Sequence, residues 1–271
     1  MTSPAPRPTA GHPARGAVLK AADLAFRPAG ACHVAEAVGP HTGAETVRLD
    51  VVRIPAGASW QPEGSTEEEN VAVVFSGSGH GRSGPEHAGL TRGAALFAPT
   101  GDPCTLTASA QDELLVYVWR SRLLPGRRHG TAPRRFSRLD NDETQLTGFT
   151  GTGQSEASAR TATMNFVFWP GTGTPQLCLH CGMMRRGEYF NVHVHPDSEE
   201  AFIAFEGSGQ LYLDDRWIDA SAGDILFARP GVPHGTRLPD THASDRFVTC
   251  GGPTPFDPVL YARAGVPGEV R

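Results

Sequence analysis

The residues of this chain with the types and spacing for chemistry lie in its second half. His193 and His195 are two residues apart in the stretch FNVHVHPDSEE, so on a β-strand both side chains point to one face. Glu200 follows after a Pro-Asp-Ser turn, and His234 lies in the later stretch RPGVPHG. Three imidazoles and one carboxylate suit one divalent transition metal and leave two positions open on an octahedral ion. The spacing therefore predicts a mononuclear metal site at His193, His195, Glu200 and His234.

The elements that must position these ligands are short strands. The chain has 271 residues, of which 32 are Gly and 23 are Pro, so turns interrupt it often. Segments such as NVAVVFSG, AALFAP, EAFIAFEG and DILFARP are rich in Val, Ile, Leu and Phe and are bounded by Gly or Pro. No segment has a sustained helical period with caps. These features predict an all-β protein.

An internal repeat organises the chain. Residues 40–104 align with residues 170–234 without a gap, and 16 of the 65 pairs are identical. The identities fall mainly on Gly, Pro and apolar positions, which determine a backbone path. Two antiparallel barrels of about eight strands each use this length well. We therefore expect a disordered tail at residues 1–20, a first barrel at 21–130, and a linker with a second barrel at 131–271.

The motifs of the second half resemble those of the cupin superfamily. The first cupin motif is Gly, five residues, His-x-His, three or four residues, Glu, six residues and Gly; the second is Gly, five residues, Pro-x-Gly, two residues and His. The matching positions are Gly187, His193, His195, Glu200, Gly207, Gly223, Gly231 and His234. The resemblance, with the repeat, implies a bicupin of two tandem double-stranded β-helix (jelly-roll) barrels. It implies a fold and not a reaction, because cupins include dioxygenases, decarboxylases, isomerases and storage proteins.

The second motif departs from the cupin pattern at Arg229, which stands where the family usually has Pro. Pro230 follows directly, so the Arg is either simply tolerated or turned inward to hold a carboxylate or phenolate of a substrate. His180 is a second candidate for catalysis, lining the barrel and moving a proton. Arg229 and His180 are thus the predicted catalytic residues. The alternatives are that Arg229 is simply tolerated and that His180 only lines the barrel.

The first copy has lost the ligand set. The 130-residue shift places Glu63 at the position of His193, Ser65 at that of His195, Asn70 at that of Glu200 and Cys104 at that of His234. A weaker site of Glu63, Glu69 and Cys104 is one alternative. The prediction favoured here is a metal-free first barrel that covers the sheet of its partner.

Aromatic and amide side chains near the ligands are candidates for the substrate pocket. Strand parity places Tyr189 and Asn191 on the face of His193, and Phe202 on the face of Glu200. Further candidates are Trp217 and Phe227. An aromatic-lined cavity suits a small organic substrate, and ordinary core packing explains the same residues equally well.

Three classes of function remain at this stage. The first is an Fe(II)-dependent oxygenase or dioxygenase acting on a small molecule, with O₂ and substrate in the open positions. The second is a redox-neutral isomerase, cyclase or lyase that uses Zn, Ni or Mn to polarise a carbonyl. The third is a ligand-binding or storage protein whose metal is structural. We predict the Fe(II)-dependent oxygenase, because the resemblance to cupins implies that such a ligand set often activates oxygen.

Composition limits the partners. The net charge is −5 and the pI is about 6.1, which does not favour nucleic acid. Five cysteines without a framework spacing indicate reduced thiols, and the Pro/Ala-rich start has no apolar region of a secretory signal. No apolar run is long enough for a membrane span. We expect a cytoplasmic protein without a membrane partner, either monomer or homodimer.

Overall fold

The computed structural model describes residues 15–63, 67–141, 143, 145–146 and 162–258. Strands dominate these residues, with 3-10 helices at Ala21–Asp23, Pro40–Thr42 and Pro170–Thr172, and none of the described helices is long and apolar enough to cross a membrane. The strands of the first half are β1 (Gly16–Leu19), β2 (Arg27–Ala29), β3 (Cys32–Val38), β4 (Arg48–Ile54), β5 (Ser59–Trp60), β6 (Glu69–Ser76), β7 (Ser78–Ser83), β8 (Glu86–Thr91), β9 (Ala94–Ala98), β10 (Cys104–Ala108), β11 (Leu114–Ser121) and β12 (Phe136–Arg138). Those of the second half are β13 (Gln145–Leu146), β14 (Thr163–Phe168), β15 (Leu179–Arg185), β16 (Tyr189–His193), β17 (Glu199–Leu213), β18 (Arg216–Ser221), β19 (Ile225–Ala228), β20 (His234–Arg237) and β21 (Arg246–Thr254). The all-β prediction is confirmed.

The strands form two tandem jelly-roll barrels, as predicted. In the N-terminal barrel a sheet of order β12-β9-β6-β11-β4-β3-β2 faces a sheet of order β5-β10-β7-β8. In the C-terminal barrel one sheet has the order β1-β19-β17-β21-β15-β14-β13, and β16, β18 and β20 form the opposite side. The long strand β17 belongs to both sides, since it pairs with β19 and β21 near its start and with β18 and β20 near its end. The first residues of β17, which include the predicted ligand Glu200, therefore lie within the main sheet of this barrel.

The two halves of the repeat agree in local detail. The 3-10 helices Pro40–Thr42 and Pro170–Thr172 are 130 residues apart, and each ends at a left-handed glycine, Gly43 with φ 83° and Gly173 with φ 88°. A left-handed residue at this point is accessible to glycine at little cost, which explains why this identity is retained in both copies.

The barrels exchange short strands at their borders. Within the predicted tail, β1 is an ordered strand that pairs antiparallel with β19 of the C-terminal barrel. Within the predicted linker, β12 pairs with β9 of the N-terminal barrel. The expected boundaries near residues 20 and 130 therefore differ from the observed ones, because strands of three or four residues carry too little periodicity to be recognised in sequence. The remainder of the predicted tail, residues 1–14, lies outside the described residues.

The largest hydrophobic core lies between the barrels. Side chains from β4, β6 and β11 pack on those from β15, β17 and β21, including Val51, Val73, Leu179 and Ile203, all at most 1% exposed. Two aromatic side chains of β11 also donate hydrogen bonds across this core: the Tyr117 hydroxyl binds the carbonyl oxygen of Gly223 at 3.0 Å, and Trp119 Nε1 binds that of Ala201 at 2.8 Å. Each barrel thus covers an apolar sheet face of the other.

Candidate metal centre

The four predicted ligands converge at one end of the C-terminal barrel. His193 ends β16, Glu200 is the second residue of β17, and His234 begins β20. Antiparallel pairing of β16 with β20 places His193 directly opposite His234. One ligand atom from each of His193, His195, Glu200 and His234 lies within 4.8 Å of the others, and all four side chains are buried. The structure therefore brings together the complete set that the spacing predicts.

Two of the imidazoles are oriented by backbone carbonyl groups close to them in the chain. The Nδ1 atom of His193 lies 2.8 Å from the carbonyl oxygen of Asn191, and that of His234 lies 2.8 Å from the carbonyl oxygen of Val232. In both cases the acceptor is two residues earlier in the chain. An Nδ1–H donated to a carbonyl leaves Nε2 with its lone pair directed to the centre of the cluster, which is how histidine presents itself to a metal.

A third partner orients His195. Its Nδ1 atom lies 3.0 Å from Oδ2 of Asp257, a buried residue that sequence reasoning did not select. Burial by itself lowers the pKa of His195, but the hydrogen bonds to Asp257 and Glu200 raise it to about 9. The pair is a carboxylate–histidine arrangement of the kind that increases the basicity of a metal ligand.

The Glu200 carboxylate lies at the centre of the imidazoles. Its Oε2 is 2.6 Å from Nε2 of His234 and 3.0 Å from Nε2 of His195, and its Oε1 is 3.5 Å from Nε2 of His180. Burial alone raises the pKa of Glu200, but His234 and His195 hold it well below its usual range. Burial and the neighbouring imidazoles lower the pKa of His193. An ionised carboxylate among three imidazoles fits a divalent transition metal.

A small cavity adjoins the ligands. Its volume is about 30 Å³, the space of roughly one water molecule. Besides ligand atoms, its wall contains the apolar or small residues Met164, Gly182, Phe190, Phe202, Gly235, Cys250 and Gly251 and the polar residues His180, Thr236 and Thr249. No Lys, Arg or Asp lines it within the described residues. The site therefore suits a very small or weakly polar ligand beside a metal.

Several predicted residues line the cavity and others do not. His180 and Phe202 line it, whereas Tyr189 and Asn191 do not. The reason is a β-bulge in β16, where the register with β20 shifts between Phe190 and His193. A bulge reverses the alternation of faces, so Phe190 replaces its neighbours in the wall. Sequence parity alone carries no signal for that shift.

Trp217 and Phe227 lie away from the cavity. Trp217 is opposite Tyr212 on the outer face of the β17–β18 hairpin, and the guanidinium of Arg237 lies 4.1 Å from the centre of its indole. Phe227 is opposite Ala201 and packs in the core between the barrels. Since Ala201 is adjacent to Glu200 on β17, its face is the one opposite to the ligands. Core packing, the alternative explanation, applies to Phe227.

Arg229 is also outside the cavity, which corrects the inward orientation considered above. Its Nη2 lies 2.7 Å from Oε1 of Glu45 in the N-terminal barrel, and about a third of its side chain is exposed. This surface ion pair is consistent with the alternative that the Arg is simply tolerated. No substrate-binding role follows from this position.

The corresponding positions of the N-terminal barrel have separate surroundings. Cys104 is fully buried among apolar side chains, Asn70 donates to the carbonyl oxygen of Glu68, and Glu63 is exposed. Ser65 lies outside the described residues. Within the part of the chain that the structure describes, the cluster around Glu200 is the one group of three or more His, Cys, Asp or Glu side chains close enough to share an ion.

The segment that carries the ligands matches a known protein family. Residues 182–244, which include all four ligands, match the cupin domain model. This match and the cupin-fold neighbours below support the cupin superfamily for this chain. No curated protein sequence matches it.

Three solved structures illustrate the likeness in fold. The protein Ylba from E. coli is 16% identical with a TM-score of 0.67, covering 90% of this chain and 93% of that one. The putative glyoxylate-induced protein from Pseudomonas aeruginosa is 14% identical with a TM-score of 0.70 and covers 93% of both chains. A single-residue variant of Bacillus subtilis oxalate decarboxylase is 12% identical with a TM-score of 0.64, covering 89% of this chain and 77% of that one. At such identities the likeness establishes the fold alone.

Proposed function

We propose that this protein is a metal-dependent bicupin enzyme acting on a small organic molecule, and specifically an Fe(II)-dependent oxygenase. The observation that carries the proposal is the arrangement of three imidazoles, each with an anchored Nδ1 atom, around the ionised Glu200 carboxylate. Such anchoring fixes ring orientation before any ion binds.

His193, His195, Glu200 and His234 would hold the ion. When bound, an iron(II) ion would supply open coordination positions for substrate and dioxygen and the electrons for oxygen activation. The side chains of Met164, Phe190 and Phe202 give the space beside the ligands a weakly polar lining. Dioxygen is small and apolar, so the size and lining of this cavity suit it.

His180 is the proposed proton-moving group. It lines the cavity, its Nε2 is 3.5 Å from Glu200 Oε1, and burial lowers its pKa to about 4. The ring is therefore neutral at pH 7, and with so low a pKa it would pass a proton on rather than keep it. Phe202, on the same strand face as Glu200, would orient the substrate beside it.

A second candidate is redox-neutral chemistry on manganese. One of the cupin-fold neighbours is the oxalate decarboxylase of Bacillus subtilis, a protein with Mn(II) centres. In that case the ion would polarise a substrate carbonyl or carboxylate, and His180 would transfer the proton. Zinc or nickel would serve the same chemistry.

We also propose a cytoplasmic location, and a monomer or a homodimer as the assembly. All five cysteines are free thiols and buried, which suits a reducing compartment. The two fused barrels already provide the contact between barrel sheets.

The test is elemental analysis of the purified protein beside two variants, with the fold checked by circular dichroism. His195→Ala should abolish metal binding, and Glu63→Ala, at the equivalent region of the N-terminal barrel, should leave it unchanged. About one iron per chain together with substrate-dependent oxygen uptake supports the oxygenase. One manganese, zinc or nickel per chain without oxygen uptake supports the second candidate. A folded protein that takes up no metal after reconstitution contradicts both.

A further inference from the structure

A second, larger cavity opens at the end of the N-terminal barrel, outside the metal centre. Its volume is about 650 Å³, within the range of small-molecule sites. Its place matches that of the metal centre in the repeat, because the 130-residue shift puts Asp50 at the position of His180. Asp50 lines this cavity as His180 lines the other one. The N-terminal barrel has thus kept an open end after losing the metal ligands.

The floor of the cavity is a buried guanidinium. Arg120 on β11 is 7% exposed, and its Nε lies 3.1 Å from Oδ2 of Asp50 and 3.7 Å from Oε2 of Glu68. Its Nη1 donates to the carbonyl oxygen of Glu63 at 2.8 Å. Within the described residues the guanidinium makes no other hydrogen bond, and its buried Nε–H is not aligned with any acceptor. Unsatisfied donors on a buried Arg are costly, and an acceptor oxygen from a ligand would remove that cost.

The walls have more carboxylates than cations. Glu36 and Asp50 are directly opposite on β3 and β4, and Glu63 lies on the rim. The lining contains three carboxylates and two Arg side chains, Arg27 and Arg120, and Glu68 faces Arg120 from outside the lining. His41 also lines the cavity, and its Nδ1 lies 3.1 Å from Oε1 of Glu36. Burial raises the pKa of Asp50 to about 6, although Arg120 acts to lower it. A ligand with positive charge would stabilise these carboxylates in the ionised form.

Apolar surface accompanies these charges. Trp60, Val34 and Pro28 contribute to the lining, and Trp60 is 8% exposed. The cavity therefore offers an oxygen-binding floor, an ammonium-binding wall and an apolar surface for a carbon skeleton.

We propose that the open end of the N-terminal barrel binds a free amino acid or its amide. The carboxylate or amide oxygen lies at Arg120, the ammonium group lies between Glu36 and Asp50, and the side chain packs toward Trp60. A simple anion adds negative charge beside Asp50 and Glu68, which already face the guanidinium, and brings no cation to offset it. A simple alkylamine leaves the guanidinium donors without an acceptor. A molecule that carries both groups supplies an acceptor to Arg120 and a cation to Glu36 and Asp50.

The experiment is isothermal titration calorimetry of the full chain with each of the twenty amino acids, and with ethylamine, acetate and glucose as controls. We expect saturable binding of at least one amino acid. Arg120→Lys, which keeps the charge and removes the planar fork, should weaken it about tenfold or more. Glu36→Gln, a substitution at a half-exposed residue, should weaken it about threefold to tenfold. His195→Ala should bind like the wild type, because the metal centre is a different site.

Each outcome decides the proposal. Binding that is weakened by Arg120→Lys or Glu36→Gln and kept in His195→Ala supports it, and the Glu36 variant carries the test if Arg120→Lys does not fold. No binding of any amino acid to the folded wild type overturns it. Binding that is lost in His195→Ala and kept in both barrel variants places the amino acid at the metal centre and overturns it as well. Equal or tighter binding of ethylamine, acetate or glucose at this cavity overturns the class of ligand.

Discussion

Glu69 and Glu199 occupy equivalent positions in the two barrels, and each carboxylate binds a backbone segment of the opposite barrel. Oε2 of Glu199 accepts hydrogen bonds from the N–H groups of Thr46 and Val47 at 2.9 and 3.0 Å. Oε1 of Glu69 accepts one from the N–H of Leu177. Val47 and Leu177 are themselves 130 residues apart, so the contact is repeated by the internal symmetry. Because Glu199 directly precedes Glu200, this crossing also supports the metal centre.

The first prediction concerns Glu199. Its carboxylate also accepts from the N–H of Glu45 at 2.7 Å and from the hydroxyl of Thr46 at 2.7 Å. Glu199→Gln places an amide N–H₂ against some of these donors and leaves buried N–H groups unsatisfied. The free energy of unfolding should fall by about 2 to 3 kcal/mol, measured by urea denaturation.

The matched control for that substitution is Glu45→Gln. The Glu45 side chain is 75% exposed and pairs with Arg229, so its loss should cost less than about 1 kcal/mol. Equal effects of the two substitutions would show that the crossing contact contributes no more than a surface ion pair.

The second prediction concerns pH and Glu69. Burial raises its pKa to about 8, against an ordinary value of 4.5, and its Oε2 has no hydrogen-bond partner among the described residues. The folded state therefore keeps a proton that the unfolded chain releases above about pH 4.5. The stabilisation is complete below that pH and is lost as the pH rises toward 8, at up to about 1.4 kcal/mol per pH unit.

Glu69→Gln tests this assignment, because an amide resembles the protonated carboxyl and does not titrate. The free energy of unfolding should be measured from about pH 5 to about pH 8 for both proteins. We expect the decline to be shallower in the variant. Parallel curves would assign the decline to other groups, and no decline in the wild type would show that Glu69 is ionised in the fold.

The ligand cluster was predictable because its information is local. His193 and His195 share a strand face through simple alternation, and Glu200 follows one turn later. Only His234 is distant in sequence, and its surroundings resemble the second cupin motif, which indicated it. The two-barrel architecture was predictable for another reason, the internal repeat. Its 16 identities, mainly at Gly, Pro and apolar positions, describe one backbone path twice.

The residues around the ligands were less accessible to sequence reasoning, since they depend on tertiary register. A bulge in β16 exchanges Asn191 for Phe190 in the cavity wall. Arg229 binds Glu45, a residue from the other barrel that no local pattern connects to it. Asp257 lies 62 residues from His195, beyond the last recognised motif. A single isolated Asp in a loop carries no signal before the fold is known.

The third prediction concerns Asp257 as a positioning residue for His195. Asp257→Asn keeps the shape of the side chain and removes the charge that orients the ring and raises its basicity. Metal affinity should fall by about 10-fold to 100-fold, measured by calorimetric titration with Mn²⁺. Asp215→Asn, at an exposed hairpin position, is the control and should leave the affinity unchanged. A folded Asp257→Asn protein with wild-type affinity would remove Asp257 from the metal centre.

The last prediction concerns the contact between Gly182 and the cavity residue Phe190. A Cβ atom at Gly182 would lie 2.4 Å from the Phe190 ring, closer than packed atoms permit. Gly182→Ala should therefore lower the free energy of unfolding by about 1 to 3 kcal/mol. Gly89→Ala is the control within a strand, because a Cβ atom there meets no atom within 4 Å.

A double-mutant cycle identifies the cause. Phe190→Leu shortens the side chain that obstructs the new methyl group, so Gly182→Ala should cost clearly less in that background. The interaction energy between the two substitutions should be about 1 kcal/mol or more, obtained from urea denaturation of all four proteins. Metal content should stay the same throughout, since neither residue is a ligand. Strict additivity would mean that the Phe190 ring does not cause the loss of stability in Gly182→Ala.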